Sequence, residues 1–514
     1  MAETAKYIGI TIGPIFETMS LVSKPSTLWA SSYIFSFISK EICRVLVDEK
    51  NIPTDSIVTP FYDKASKLST LIEEGNKKGI GLFHDRIIFE KPESFFLSDI
   101  TEIKEAVIKT VSKKFNINDE AFLKDYIMIA AAEFEAENPI MGSGRILDSL
   151  ELSKSFVFRE KNNPILNVFT SYSDDDKEDE KVKKQANEAI KKIVKENLKI
   201  EDWQLLKGEN IKDLGSIARV DSLKMKYNDY FAIVRSDGDN MSKIISSLSS
   251  KEDFRSFSGI CLNYCYEAAM LVSRYGGVTI YSGGDDLLAL LPCRVKTEAD
   301  VKTVFNFAQE LAQLFNEKFD GYIRKINESN NNKDDKDKIP VPSLSTAIYL
   351  CYKKFPIYEA VSSSADLLFG TAKSIKDCVA VNLQKNSGQS CGLVIPNGMM
   401  TELLTLQSDV LTAKSSIDDK VLLSASQKLS LFETLFNLAD ASQTENIFIN
   451  IFDAEFHNNN VFVHEKLPGF YGKIDVKSFF AFDDEGKKDG NRASVLANVL
   501  RILKFFTEKG GEKE

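Results

Sequence analysis

Three histidines in 514 residues leave little room for imidazole chemistry, and no Ser/His/Asp triad is readable. The seven cysteines, at positions 43, 261, 265, 293, 351, 378 and 391, are odd in number and contain no CxxC pair. That argues against both a disulfide framework and a four-cysteine zinc site. No apolar run reaches the ~18 residues of a membrane-spanning helix, and the N-terminus lacks a basic-then-apolar leader pattern. A cytoplasmic location is the expectation. Positive charge is short as well: a net charge of −10 gives no global attraction to nucleic acid. Any RNA contact must come from local lysine patches or from partner subunits. What remains is ordinary globular material, 43% hydrophobic and 27% charged, enough for three or four domains of about 150 residues each.

One stretch stands out, Tyr281-Ser282-Gly283-Gly284-Asp285-Asp286-Leu287-Leu288-Ala289-Leu290. Val278–Tyr281 and Leu287–Leu291 read as strands, and the Gly-Gly pair between them supplies the positive-φ positions of a tight hairpin. Two adjacent acids between apolar strands are costly unless a cation or a donor compensates them. A second acid-bearing strand end, Tyr230-Phe231-Ala232-Ile233-Val234-Arg235-Ser236-Asp237-Gly238-Asp239, lies one β-helix-β unit upstream. Carboxylates converging from two strand ends suit a divalent-metal nucleotide site. Asp237 with Asp285 or Asp286 would hold Mg²⁺ or Mn²⁺ against a nucleoside triphosphate. Gly238, Gly283 and Gly284 would let the backbone approach the phosphates, and Lys373 would reach them from a helix end.

Around this stretch the chain divides into four expected domains. Residues 1–137 show a β-α-β-β-α-β order, with Trp29, Tyr33, Phe37 and Ile38 at helical spacing, and suggest a ferredoxin-like palm. Residues 138–227 are helical and more charged; the run from Ser173 to Lys181 reads as a solvated loop and helix start. Residues 228–395 repeat the first pattern, with helices expected over Phe254–Arg274, Val301–Lys318 and Ile357–Ser374, and a mobile Asn/Asp/Lys-rich loop over Asn327–Lys338. Residues 396–514 show helical periodicity and read as a bundle with a flexible end at Gly510–Glu514. The fold class is α+β: two ferredoxin-like, nucleotide-cyclase-like palms, a helical middle domain and a C-terminal helical bundle.

Asp237-Gly238-Asp239-Asn240-Met241, the Gly283–Asp286 quartet, the Ser343-x-Ser345 strand followed by Phe355-Pro356, and Ala372-Lys373 together resemble a CRISPR polymerase palm. The resemblance is to the large subunit of type III-B, Cmr-type, RNA-targeting complexes. Ile10-Thr11-Ile12-Gly13-Pro14-Ile15 and Leu28-Trp29-Ala30-Ser31-Ser32-Tyr33 are similar to that subunit's first palm. The resemblance implies a target-RNA-activated enzyme that converts ATP into a second messenger, with crRNA, target RNA and other Cmr-type subunits as partners. It implies Asp237, Asp285 and Asp286 as catalytic and metal-site residues, and Gly283 and Gly284 as the phosphate-side turn. Lys373 becomes a phosphate contact and Ser282 a nucleotide contact. Two departures matter. The chain starts at the first palm, and its only His-Asp pair, His84-Asp85, has no upstream histidine, so no HD nuclease is expected. Ser345-Thr346-Ala347 also stands where relatives often carry a glycine.

The product stays open between a cyclic oligoadenylate and an AMP conjugate of S-adenosylmethionine, whose ammonium groups Asp63, Asp85, Glu135 or Glu137 would face. Two other classes also stay open: a free-standing diguanylate-cyclase-like enzyme, which the Gly-Gly-Asp-Asp quartet alone would suit, and a catalytically silent structural subunit.

Overall fold

The computed structural model describes residues 5–153, 163–172, 177, 179–296, 301–329, 342–411, 419–438, 441–452, 462–482 and 487–510. Most of the charge run at 173–181, most of the insertion at 327–338 and the end of the chain from 511 therefore lie outside the described residues.

The first half is built from β1 (Lys6–Gly13), α1 (Pro25–Asp48), β2 (Ile57–Thr59), β3 (Arg86–Glu90), α2 (Asp99–Phe115) and β4 (Met128–Glu135). Its sheet runs β2-β3-β1-β4, antiparallel throughout, the ferredoxin-like order expected from the alternation of elements. The second half repeats it with β5 (Tyr230–Gly238), α3 (Lys251–Arg274), β6 (Val278–Gly283), β7 (Asp286–Pro292), α4 (Val304–Ser329) and β8 (Leu344–Tyr352). Here the order is β8-β5-β7-β6, the same connectivity. Phe231–Val234 and Leu287–Leu291 are buried throughout, because this sheet is covered on both faces.

The two halves grip each other reciprocally. Helix α1, between the first two strands of its own half, packs on β6; helix α3, between the first two strands of the second half, packs on β2. Double packing explains why α1 is buried on nearly all sides, with Trp29 stacked on Tyr33 at 4.6 Å and its indole N–H donating to the Gly79 carbonyl at 2.7 Å. Its serines allow close approach: Ser36 accepts from the Phe83 amide and Ser39 donates to the His84 carbonyl, tying the 82–84 loop to the helix.

Local readings differ at several places. The helix expected from Val301 begins at Val304, because Val301–Thr303 pairs with Arg294–Lys296 as a short ribbon. It then runs on to Ser329, taking in the first residues of the insertion. The strand expected from Asp125 starts at Met128, since Glu120–Tyr126 forms a helix capped by Asp119. After β8 come α5 (Ile357–Asp366) and a wider helical turn over Leu367–Ala372, and then two further strands, β9 (Cys378–Gln384) and β10 (Ser390–Pro396). The C-terminal region is largely helical but adds β11 (Phe480–Phe482) and β12 (Lys488–Asp489) to the edge of the same sheet, making it eight-stranded. Strands that short carry too few residues to show a period.

Candidate active site at the hairpin of the second half

The register between β5 and β7 pairs Ser236 with Leu287, which brings Asp237 alongside Asp286. On the other side, β6 and β7 close on the pair Gly283–Asp286. The turn itself is therefore Gly284-Asp285, not the two glycines. Only Gly284 has positive φ, +70°, the type II′ pattern. Gly283 belongs to the strand, where a Cβ would sit 2.6 Å from the Tyr281 hydroxyl.

Three carboxylates meet here. The Asp285 carboxylate turns inward and accepts from the Gly238 amide at 3.1 Å. That contact requires glycine: a Cβ at position 238 would lie 2.7 Å from the Asp285 Oδ2 and 2.8 Å from Met241 and Phe315. Burial, then Asp286 and Asp237, push Asp285 well above the usual carboxylate range. Burial and Asp237 push Asp286 up to about 7, against the pull of Lys373 and Arg235. Arg235 is itself buried, and its Nε donates to the Ser364 hydroxyl at 3.2 Å.

Among the described residues Lys373 is the cation that ion-pairs with the acids. Its Nζ lies 2.9 Å from Asp237 and 3.3 Å from Asp239, and donates to the Gly238 carbonyl at 2.7 Å. Asp239 has a different position from its neighbour two residues back. It is fully buried and accepts from the Ser343 and Ser345 hydroxyls at 2.8 and 2.7 Å and from the Asp377 amide at 2.9 Å. Asp239 is thus the clasp that joins the end of β5 to the start of β8 and the turn before β9. The role of the Ser343-x-Ser345 pair is visible only once that carboxylate is seen between them.

Ser282 is brought to the hairpin, but not to its surface. Its side chain is fully buried and donates to the Cys265 carbonyl at 2.9 Å, while the Cys265 thiol donates to the Gly284 carbonyl at 3.2 Å. The expected contact between its hydroxyl and a nucleotide finds that hydroxyl already engaged by α3. Cys261 and Cys265 are both buried.

His84-Asp85 lies in the loop before β3. The structure sets this loop against the hairpin: Leu82, Phe83 and His84 share a small cavity with Cys261, Leu262 and Gly284. His84 bonds the Thr59 hydroxyl through Nε2 at 2.8 Å, and burial pulls its pKa down to about 4, so the ring is neutral. Asp85 contributes to the raised pKa of both Tyr281 and Asp286. Of the other first-half acids singled out, Asp63 is 3.3 Å from Arg255, and Glu135 and Glu137 are exposed.

As arranged, no group of three or more His, Cys, Asp or Glu side chains among the described residues is gathered tightly enough to hold a metal ion. Lys373 stands on Asp237, and Asp285 is turned to a backbone amide. The chemistry of the donor set nevertheless fits a divalent ion: Asp237 helps to raise the pKa of both Asp285 and Asp286, and the pull of Lys373, joined by Arg235 on Asp286, does not bring them back to the usual carboxylate range.

Two family models match the chain. Cas10/Cmr2, second palm domain, covers residues 230–380, and CRISPR-associated protein Cmr2, N-terminal, covers residues 7–118, together just over half of it. The chain belongs to the Cas10/Cmr2 family. It is 24% identical over 250 residues to the CRISPR system Cmr subunit Cmr2 of Pyrococcus furiosus, a match covering 40% of this chain and 26% of that relative. Among solved structures it resembles a type III-B Cmr-beta complex chain in the apo state, with TM-score 0.62, 12% identity, and 97% and 81% of the two chains covered. It also resembles the Csm1-Csm4 cassette, solved with cA4 (TM-score 0.55, 12% identity) and with one ATP (0.54, 11%), each covering 98% of this chain and 70% of that one. At these identities the structural likeness is one of fold, and it extends over nearly the whole chain. Among the described residues no helix is long and apolar enough to cross a membrane.

Proposed function

We propose that the chain is a nucleotidyltransferase that converts ATP to a second messenger within a type III-B, RNA-guided complex, switched on by target RNA. The observation that carries the reading is the convergence of Asp237, Asp285 and Asp286 at one edge of the second palm, where Lys373 and Arg235 leave Asp285 and Asp286 above the usual carboxylate range. The family's Csm1-Csm4 cassette has been solved with ATP and with cA4, which supports a nucleotide as substrate and an oligoadenylate as product. Fellow Cmr-type subunits, crRNA and target RNA are the proposed partners, in line with the Cmr complexes among its structural relatives.

Asp237, Asp285 and Asp286 would hold Mg²⁺ or Mn²⁺, which when bound neutralises phosphate charge and favours ionisation of an attacking hydroxyl. The chain's own contribution is positional. Gly284 exposes backbone at the turn, with nothing near its missing Cβ, so phosphate oxygens can approach the amides. Lys373 is proposed to leave Asp237 for the β/γ phosphates when nucleotide enters, so that one ammonium serves the empty and the loaded site in turn. The new phosphodiester forms at the α-phosphate and pyrophosphate departs with its charge balanced by that lysine.

The test uses the assembled complex with matching target RNA and labelled ATP. A new adenylated product that disappears in Asp285→Ala with Asp286→Ala supports the reading; persistence of the product refutes the site. Running it with and without S-adenosylmethionine separates a cyclic oligoadenylate from an AMP conjugate. A preference for GTP in the absence of RNA would place the chain with cyclases instead.

A further inference from the structure

On a chain of net charge −10, one cleft is strongly basic. It has a volume of about 900 Å³ and lies where the start of α1, the 207–219 segment of the middle region and the loop after β8 meet. Lys24, Lys207, Lys212, Arg219, Lys353 and Lys354 all line it. Among the described residues the lining holds one acid, Asp213, which accepts from the amide of Ser216 at 2.6 Å, and Asp229 on the rim pairs with Lys353 at 2.7 Å. Burial, and then the nearby Lys207, hold the Lys212 ammonium below its ordinary pKa against the pull of Asp202.

The cleft is separate from the candidate active site. Along the β5–β8 ladder, Ser345 faces Asp237 at one end and Tyr352 faces Tyr230 at the other. Lys353 follows Tyr352, so roughly 25 Å of strand lies between the cleft and the acids. A nucleotide in the palm therefore does not account for it.

We infer that this cleft is a docking groove for the sugar-phosphate backbone of single-stranded RNA. Six cations gathered on one concave lining suit the phosphates of a single strand, and Phe355 belongs to the same lining. A duplex presents a convex cylinder and meets proteins on protruding elements, which this surface lacks. The inference rests on the proposed RNA-guided role for the presence of RNA, and does not depend on catalysis. It also resolves how an acidic chain contacts RNA directly: charge is concentrated in one place rather than spread.

The experiment measures anisotropy of the full chain with a labelled single strand of about 16 nucleotides in about 0.1 M salt. Lys207→Glu, Arg219→Glu and Lys354→Glu are combined in one variant, all three positions being exposed. A matched control reverses Lys109, Lys113 and Lys124, which are exposed on the first half. Affinity should fall on the order of 100-fold in the cleft variant, with a salt slope shallower by about three, and stay within about twofold in the control. Equal losses in both variants, or none in the cleft variant, overturn the inference. So does intact RNA binding with lost assembly into the complex, which would assign the cleft to an acidic protein segment. Unchanged melting of the cleft variant excludes misfolding. RNA affinity surviving in the Asp285/Asp286 double variant keeps this test apart from that of the catalytic reading.

Discussion

The two palms share a strand order and differ in what stands at the strand ends. In the second half, β5 ends in Asp237 and β6 turns into β7 through Gly284-Asp285. In the first half, β1 runs out through Thr11, Ile12 and Gly13, and β2 reaches β3 only after a connection that includes the helix Ser69–Lys77. A tight hairpin fixes two carboxylates within a residue of each other. A long connection instead supplies a loop, and that loop, at 82–85, is what the first half sets against the other's turn. One half thus presents charge and the other presents the wall facing it. Duplicated scaffolds divide labour in this way because the sheet fixes strand ends, while the connections are free to differ.

The sharpest way to break the comparison is to strip the acids. Asp285→Ala with Asp286→Ala should reduce product formation in the assembled, target-bound complex by at least ~10³-fold, the scale of lost electrostatic stabilisation. It should leave the melting temperature unchanged or higher, since burial disfavours both charges. Loss of folding would mean that the acids hold the hairpin together, and the contrast between the halves would be structural rather than chemical.

Asp239→Ala tests the opposite expectation two residues from Asp237. Removing a fully buried carboxylate leaves the Ser343 and Ser345 hydroxyls, the Asp377 amide and part of the Lys373 charge without their acceptor. The expected loss is about 3–5 kcal/mol of stability, seen in a denaturant titration, with activity lost as a consequence. Ser345→Ala should cost about 1 kcal/mol, the worth of one such bond. A stable Asp239→Ala chain without activity would instead make Asp239 a group that acts on substrate.

Much of this division was legible before any coordinates. Alternation of apolar runs and turn residues gave both ferredoxin-like orders, because buried strands flanked by glycine and proline leave few other arrangements. Spacing alone brought Asp237 and Asp285–Asp286 into one reading. It could not say which glycine takes the turn, since that depends on whether Gly283 or Gly284 faces the Asp286 register partner. Nor could it separate Asp237 from Asp239: both sit in one Asp-Gly-Asp run, and only the clasp of Ser343, Ser345 and the Asp377 amide distinguishes them. Nor could spacing show where the Ser282 hydroxyl is engaged. Alternation along β6 sends it to α3 rather than outward, and α3 is distant in sequence.

Glycines in the first strand of each half offer a milder comparison. A Cβ at Gly238 would press on Asp285, Met241 and Phe315 at 2.7–2.8 Å, whereas one at Gly9 would meet Leu147 and Phe134 at 3.2 Å. Gly238→Ala should therefore cost about 1–3 kcal/mol and displace Asp285. Gly9→Ala should cost less, as side chains there can yield by a few tenths of an ångström. Equal melting shifts would deny the second half its tighter packing at the acids.

The last comparison is in the pH dependence. Asp286 has an ordinary pKa of 3.8 and a folded value of about 7, raised chiefly by burial and Asp237. Below 3.8 the group is protonated in both states and contributes nothing to the difference. Between 3.8 and about 7 the unfolded chain releases this proton and the folded chain keeps it, so stability falls as pH rises. Above about 7 both states are ionised and the cost is constant. Asp286→Asn removes the titration, so the variant's melting temperature should gain on the natural chain across that window and then run parallel to it. Carboxylates away from this cluster cancel in the difference, while Asp285, which Asp286 helps to push up, is relieved in the variant and widens the gap in the same direction. Adding Mg²⁺ should close the gap at high pH, because a cation bound by the three acids favours their ionised form. A gap that ignores Mg²⁺ would leave Lys373 as the only cation this edge of the palm accepts.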